Sequence, residues 1–317
     1  MSAPAEFASL DDAFVWIINS ILKRGEDIAP RGIPTSEVRA LSISIANPRR
    51  RYISLPPRRW SFGYALGEFC WHARGSSNVE EISFYSRRWR EMSDDGRSIR
   101  GSCYGAQIFQ ARDRGESQWH LVRRVLDADP ASRRATFAFS DGMNADLLRS
   151  RDINCATTLQ FYVRANKLEA IATMRSNDVI LGLPYDIFLF TMLQEMMAVE
   201  LGLELGSYHH FVGSMHVYKS NLEWAESIIS ATPTINEPMP KMTSVDDIHE
   251  LLENEPQTRR RDSLAQRTHS TASYWGGLLR VLQSYNGARL GNATGLDLAL
   301  EPALYRQLMD LRPATRS

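Results

Sequence analysis

The sequence predicts an α+β fold, a mixed and largely antiparallel sheet packed with helices. Three observations predict it. Residues 135–140, 157–164 and 167–174 alternate apolar and polar side chains, the period-two pattern of half-buried antiparallel strands. Pro184 opens an apolar stretch running to about Leu203, too long for a strand and suited to a helix that begins at proline. Helices and strands follow one another without the regular β-α-β alternation of a doubly wound parallel sheet.

The elements follow in order. Asp11 to Lys23 reads as a helix with an Asp cap and Phe14, Ile17, Ile18 and Ile21 on one face. Arg31 to Thr35 is a loop punctuated by Gly and Pro. Leu41 to Ile45 is β-branched and alternating, a strand. Ser61 to Trp71 is a second helix, with Phe62, Ala65, Leu66 and Phe69 on its apolar side. Ser76 to Gly101 is polar, a loop region with short helical pieces, and His120 to Asp127 is helical. A short Ala-Asn turn joins the 157–164 and 167–174 strands. After Thr232 the composition shifts. Pro233, Pro238 and Pro240 mark a break, Arg259 to Asp262 is a solvated charge cluster, and Ser270 to Ser284 and Glu301 to Leu311 look helical. Residues 1–250 are expected to form the main domain and 251–317 a divergent, mainly helical extension packed on it.

Composition narrows the function classes. The chain has 317 residues, 43% hydrophobic and 23% charged, with 37 basic and 37 acidic side chains. Zero net charge argues against broad nucleic-acid binding while allowing a local cationic pocket. No apolar run approaches the roughly 20 residues of a membrane span. The first 13 residues contain Glu6, Asp11 and Asp12 and lack the basic start of a signal peptide. Cys70, Cys103 and Cys155 are too few and too scattered for a disulfide framework or a C-x-x-C metal site. A cytoplasmic protein without a metal is expected.

The chemistry concentrates between Arg151 and Asn221. There stand N-C-A-T-T-L-Q-F-Y-V-R, then M-R-S-N-D-V-I-L-G-L-P-Y-D-I, then M-H-V-Y-K-S-N. A cysteine attacks only as its thiolate, which a nearby guanidinium stabilises, and Arg175 is a candidate for that charge. A lone cysteine is more often buried and inert. Here the surroundings reverse that default. A Cys before a Q-F-Y-V strand, an R-S-x-D segment, G-x-P-[FY]-N and an H-x-Y pair occur in this order in the thymidylate synthase family. This chain resembles that family over roughly residues 14 to 250.

The resemblance implies a thymidylate synthase-like fold whose sheet face forms a homodimer interface. It implies Cys155 as nucleophile. Glu68, in G-E-F-C-W, matches a glutamate that organises water and relays protons, a task suited to a half-buried carboxyl. Tyr104, in C-Y-G, matches an active-site tyrosine. Arg31, Arg175 and Ser176 match phosphate ligands. Arg133 and Arg134, after Asp129-Pro130, match the arginines that reach the phosphate of the other subunit, and planar guanidinium forks suit that anion. His216 and Tyr218 match the ribose-binding pair, with Gln160 near base and ribose. Asp178 matches the carboxylate that binds the pterin, with Trp71 and Gly182 also at the folate. The cosubstrate implied is 5,10-methylenetetrahydrofolate, and the substrate a pyrimidine nucleoside monophosphate.

Asp186 departs from the family, which has Asn there. An amide suits uracil, with its N3–H donor and O4 acceptor. Cytosine presents the reverse pair, N3 acceptor and N4–H₂ donor. A carboxyl fits cytosine either as a neutral acid or as a carboxylate facing a protonated ring, and a buried mismatch is costly. At the first turn of a helix Asp is also favoured by the dipole alone. Asp at this position resembles the cytidylate hydroxymethylases of the superfamily. Ala156 replaces a His, Met174 replaces a Gln, and the family's apolar C-terminal tail is replaced by one ending L-R-P-A-T-R-S. A looser site admits water in place of hydride. The extension resembles that of the CMP hydroxymethylases of mildiomycin-type nucleoside antibiotic pathways more than the compact phage dCMP enzymes. Arg133 and Ser176 instead follow the deoxynucleotide users. The expectation is 5-hydroxymethylation of CMP and dCMP. Its alternatives are a strict dCMP hydroxymethylase, a thymidylate synthase, and an inactive relative that regulates by binding.

Overall fold

The computed structural model describes residues 4–111, 115–139, 149–260, 273–291 and 301–312. Ser140, Arg261 to Ser263, the start of the 270–284 helix and the last five residues lie outside them. The strands are β1 (Ala5–Phe7), β2 (Glu26–Ile28), β3 (Thr35–Ile45), β4 (Thr136–Ala138), β5 (Ala156–Arg164), β6 (Lys167–Asp178) and β7 (Glu204–Tyr218). The helices are α1 (Leu10–Arg24), α2 (Phe62–Ala73), α3 (Val79–Ser83), α4 (Arg88–Met92), α5 (Tyr104–Phe109), α6 (Gln118–Ala128), α7 (Leu183–Glu200), α8 (Leu222–Ile229), α9 (Ile248–Thr258), α10 (Tyr274–Arg289) and α11 (Ala303–Asp310). None of the described helices is long and apolar enough to cross a membrane.

The chain divides into two compact units. The first comprises Met1–Trp60, His120–Phe139 and Cys155–Met239. It holds a mixed sheet in the order β1-β3-β7-β6-β5-β4, with β2 paired to β3. Ala165 and Asn166 take positive φ of 48° and 61°, the left-handed pair that closes a tight hairpin between β5 and β6. β6 and β7 run parallel, so a crossover must join them, and α7 supplies it. Leu168, Ala170, Ala172 and Met174 of β6, and Tyr208, His210 and Val212 of β7, are buried. Residues between them, such as Ile171, Thr173 and Phe211, lie half-buried or exposed on the opposite face.

Helix α7 explains its own composition. Nearly every residue from Leu183 to Ala198 is buried, so it is apolar all round rather than on one stripe. Three polar residues enter that core with partners. Thr191 donates back to the Ile187 carbonyl of its own helix at 2.6 Å. Gln194 donates to the carbonyls of Leu168 and Gly206 at 2.9 and 3.1 Å. Glu195 forms ion pairs with Arg49, at 2.6 Å, and with Arg51.

Strand β7 is absent from the sequence expectations. Gly206, Gly213 and three histidines break its alternation. The pairing lapses at one transverse line, Ala40 of β3, Gly213 of β7 and Arg175 of β6. Ala40 takes φ 53° there, and a Cβ on Gly213 would lie 2.9 Å from the Arg175 carbonyl. Glycine permits this approach beside the residue that contacts Cys155.

The second unit comprises Ser61–Trp119, Ser140–Asn154 and Pro240–Ser317. Residues 251–317, expected as an extension, fall within it. Ser61 caps α2 by accepting from the Tyr64 amide. Gly63 and Gly67 let aromatic rings lie against α2: a Cβ would meet Tyr285 at 2.1 Å and Tyr85 at 2.3 Å. Glu255 of α9, fully buried, accepts from Tyr85 Oη and pairs with Arg74 at 2.7 Å and Arg259 at 2.8 Å. Asn286 of α10 donates to Tyr85 Oη at 3.0 Å. These bonds tie the late helices to α2. The run Pro240, Pro256 and the polar residues around them hid α9 from periodicity analysis, since proline inside a helix is disfavoured.

Candidate active site

The β5–β6 hairpin brings Cys155 and Arg175 together. Ala156 pairs with Met174, so the preceding and following residues become neighbours. The Arg175 amide donates to the Cys155 carbonyl at 2.8 Å, and its Nη2 lies 3.7 Å from Cys155 Sγ. Cys155 is half-buried, whereas Cys70 is buried and its thiol is pushed well above the ordinary range by desolvation. An accessible sulfur beside a guanidinium is the arrangement that supports a thiolate.

The parallel β6–β7 register adds the next group. Ser176 pairs with Ser214 and Asp178 with His216. Ser176 Oγ lies 3.4 Å from His216 Nδ1, and the His216 and Tyr218 rings meet edge-on at 5.4 Å. Asp178 follows at the end of β6, where its Oδ1 accepts from the Ile180 and Leu181 amides at 2.7 and 2.9 Å. Gly182 then starts α7, and its carbonyl accepts from the Asp186 amide at 3.0 Å.

Asp186 sits in the first turn of α7. Asn177 Nδ2 donates to its Oδ2 at 2.7 Å. Burial pushes the Asp186 carboxyl up to about 7; the Asn177 hydrogen bond opposes that shift and the like charge of Asp178 adds to it. This carboxyl therefore exchanges between acid and carboxylate near neutrality. Behind Asn177 lie His210, 3.2 Å from its Oδ1, and Tyr208, 2.9 Å from His210 Nδ1. None of these three is among the candidate residues that the sequence singles out. Asn177 stands inside the R-S-N-D segment already quoted, which was the available signal; nothing local marked His210 or Tyr208.

The other phosphate candidates stand apart. Arg31, on the Pro30–Gly32 turn, takes φ 53° and is exposed. Arg133 and Arg134 are exposed on the loop before β4, where Gln160 Nε2 donates to the Arg133 carbonyl at 3.0 Å. No described hydrogen bond joins these three side chains to the Cys155–Arg175 group.

The second unit carries the remaining candidates. Glu68 is buried on α2, and Tyr64 Oη donates to its Oε1 at 2.8 Å while Trp89 Nε1 donates to that Oη at 3.1 Å. Trp71 is core: 1% exposed, its Nε1 donated to the Asn78 carbonyl at 3.1 Å. Tyr104 is buried and stacks on His72 at 5.7 Å. His72 accepts from the Gly105 amide at 3.1 Å, and burial lowers its pKa to about 3.

Comparison with known proteins matches this arrangement to a family. Residues 12–258 match the family model described as Thymidylate synthase. The "Deoxyuridylate hydroxymethyltransferase" of Bacillus phage SP01 is 29% identical over 259 residues, 77% of this chain and 66% of that relative. The aligned part thus spans just under two thirds of the relative's length.

Proposed function

Because this chain belongs to the thymidylate synthase family, we propose that it is a folate-dependent enzyme that attaches a one-carbon unit to C5 of a pyrimidine nucleoside monophosphate. We propose further that the product is a 5-hydroxymethyl nucleotide and the base cytosine, with CMP and dCMP both accepted. The observation that carries the base assignment is Asp186, an ionisable carboxyl poised near neutrality where an amide would suit uracil.

The roles follow from the residues. Cys155 adds to C6, which makes C5 nucleophilic, and Arg175 stabilises the attacking thiolate. A neutral Asp186 donates to cytosine N3 and accepts from its N4 amine. Arg31, Arg133, Arg134, Arg175 and Ser176 hold the phosphate, and His216, Tyr218 and Gln160 the ribose and base. Glu68 and Tyr104 serve proton movement and water placement. Bound 5,10-methylenetetrahydrofolate supplies the methylene carbon. Asp178 fits its pterin, because two backbone amides fix that carboxylate as an acceptor for a ring N–H edge. Gly182, which starts α7 four residues after Asp178, belongs to the same assignment. Expulsion of Cys155 after water has reacted at the new carbon restores the aromatic ring. We also propose a homodimer, cytoplasmic in setting, in which Arg133 and Arg134 serve the partner's phosphate. The open sheet face with Ile171, Thr173 and Phe211 supports it.

The relative named above supports water as the last reactant. Its printed substrate, deoxyuridylate, favours a second reading, hydroxymethylation of dUMP. Incubation with CMP, dCMP, UMP or dUMP plus the folate, followed by mass spectrometry, separates the two. Cytidylates gaining a hydroxymethyl group is the expected result; conversion of dUMP alone overturns the base assignment. Tetrahydrofolate as coproduct is expected, and dihydrofolate would indicate methylation. Ser176→Ala is expected to shift kcat/KM toward CMP by opening room at the 2′ position; an unchanged ratio removes that idea.

A further inference from the structure

We infer that Tyr208, His210 and Asn177 form a one-directional hydrogen-bond relay that fixes which oxygen of Asp186 can carry a proton, making them positioning residues for base selection. This rests on the reading of Asp186 as the group that faces the base. Tyr208 is fully buried, and among the described residues its hydroxyl has His210 Nδ1, at 2.9 Å, as its hydrogen-bond partner. A phenol buried with one partner donates to it, because a buried O–H without an acceptor is costly. His210 Nδ1 is then an acceptor. The ring, 1% exposed and neutral because burial lowers its pKa to about 3, must carry its proton on Nε2. That Nε2–H donates to Asn177 Oδ1 at 3.2 Å. With its oxygen occupied in this way, the Asn177 amide turns Nδ2 toward Asp186 and donates to Oδ2 at 2.7 Å.

The reverse direction is chemically available and structurally penalised. A protonated Asp186 Oδ2 would donate to a flipped Asn177, and the His210 proton would move to Nδ1. Tyr208 Oη would then accept, leaving its own proton inside the core without an acceptor. Tyr208 therefore sets the polarity of the whole relay from the far end. Asp186 Oδ2 remains an acceptor, and any proton on this acid sits on Oδ1. An acid with one oxygen fixed as acceptor and the other as donor discriminates between two bases whose donor and acceptor positions are exchanged. An acid free to exchange the two would pair with either.

The position of the relay matches this role. Tyr208 and His210 lie two residues apart on β7 and so share its buried face, while Asn177 is on the adjacent β6. The Tyr208–His210 and His210–Asn177 links are buried, where bonds are strong and alternatives scarce, and the last link reaches the part-buried Asp186 on α7.

Two measurements test the inference. Nitrogen-15 NMR of His210 in the whole protein is expected to show a protonated Nε2 and a bare Nδ1; the opposite tautomer overturns the relay, whatever the enzyme's substrate. Tyr208→Phe removes only the hydroxyl. In the folded variant the kcat/KM ratio between cytidylate and uridylate is expected to move toward one by about tenfold, whichever base the parent prefers. His210→Gln keeps a donor and an acceptor and is expected to retain more of the ratio than His210→Leu. Equal losses on both substrates, with the ratio unchanged in folded Tyr208→Phe, would overturn the positioning role. If the parent enzyme converts no pyrimidine nucleotide, the proposed function fails, while the NMR result still decides the relay.

Discussion

Helix α7 carries two acidic side chains into the protein, and they are handled in opposite ways. Glu195 meets two guanidinium groups, Arg49 and Arg51, the second fully buried. Asp186, near the start of the same helix, meets the neutral amide of Asn177 and the like charge of Asp178. A buried carboxylate with cations beside it is locked as an ion. One with only a neutral donor keeps its proton to a higher pH. The first arrangement serves the fold. The second leaves a carboxyl able to act as donor or acceptor.

Breaking the ion pair is expected to have the largest effect. Glu195→Ala leaves the Arg51 charge uncompensated in the core and is expected to cost about 3–5 kcal/mol in urea unfolding. A cost near zero would show that Arg51 finds another partner. Asp186→Asn tests the other side. The folded chain keeps the Asp186 proton up to about 7, whereas the unfolded chain releases it near 3.8. Stability from this group is present below 3.8 and lost as pH rises through about 7. In Asp186→Asn that decline is expected to shrink, by on the order of 2 kcal/mol between the two limits after allowance for partial exposure. Parallel pH profiles for the two proteins would mean that Asp186 does not hold its proton in the fold. The smallest effect is expected at Arg49, whose side chain is 21% exposed. Arg49→Ala is expected to cost about 1 kcal/mol, because solvent screens that half of the cluster. A loss equal to that of Glu195→Ala would make Arg49 the dominant partner.

The contrast also separates what a linear reading can find. Cys155 and Arg175 were legible as near neighbours because a hairpin with an Ala-Asn turn pairs β5 with β6; the one-residue shift between Ala156 and Thr158 that sets their final register was not legible. α7 was legible from its length and its proline. β7 was not, since its glycines exist to meet neighbouring strands: Gly206 lies against Leu168 and Glu169, and Gly213 against Arg175. Their placement answers contacts made elsewhere in the chain. The same holds for His210 and Tyr208, which carry no motif and gain a role only beside Asn177.

Local pattern therefore decided the element types, the order of the motifs and the identity of Asp186, because periodicity, turn chemistry and residue type are properties of short segments. Tertiary structure alone decided the environment of each carboxyl. Desolvation, the nearest cation and the direction of a hydrogen-bond chain depend on strands distant in sequence, and they set Asp186 apart from Glu195 on a single helix.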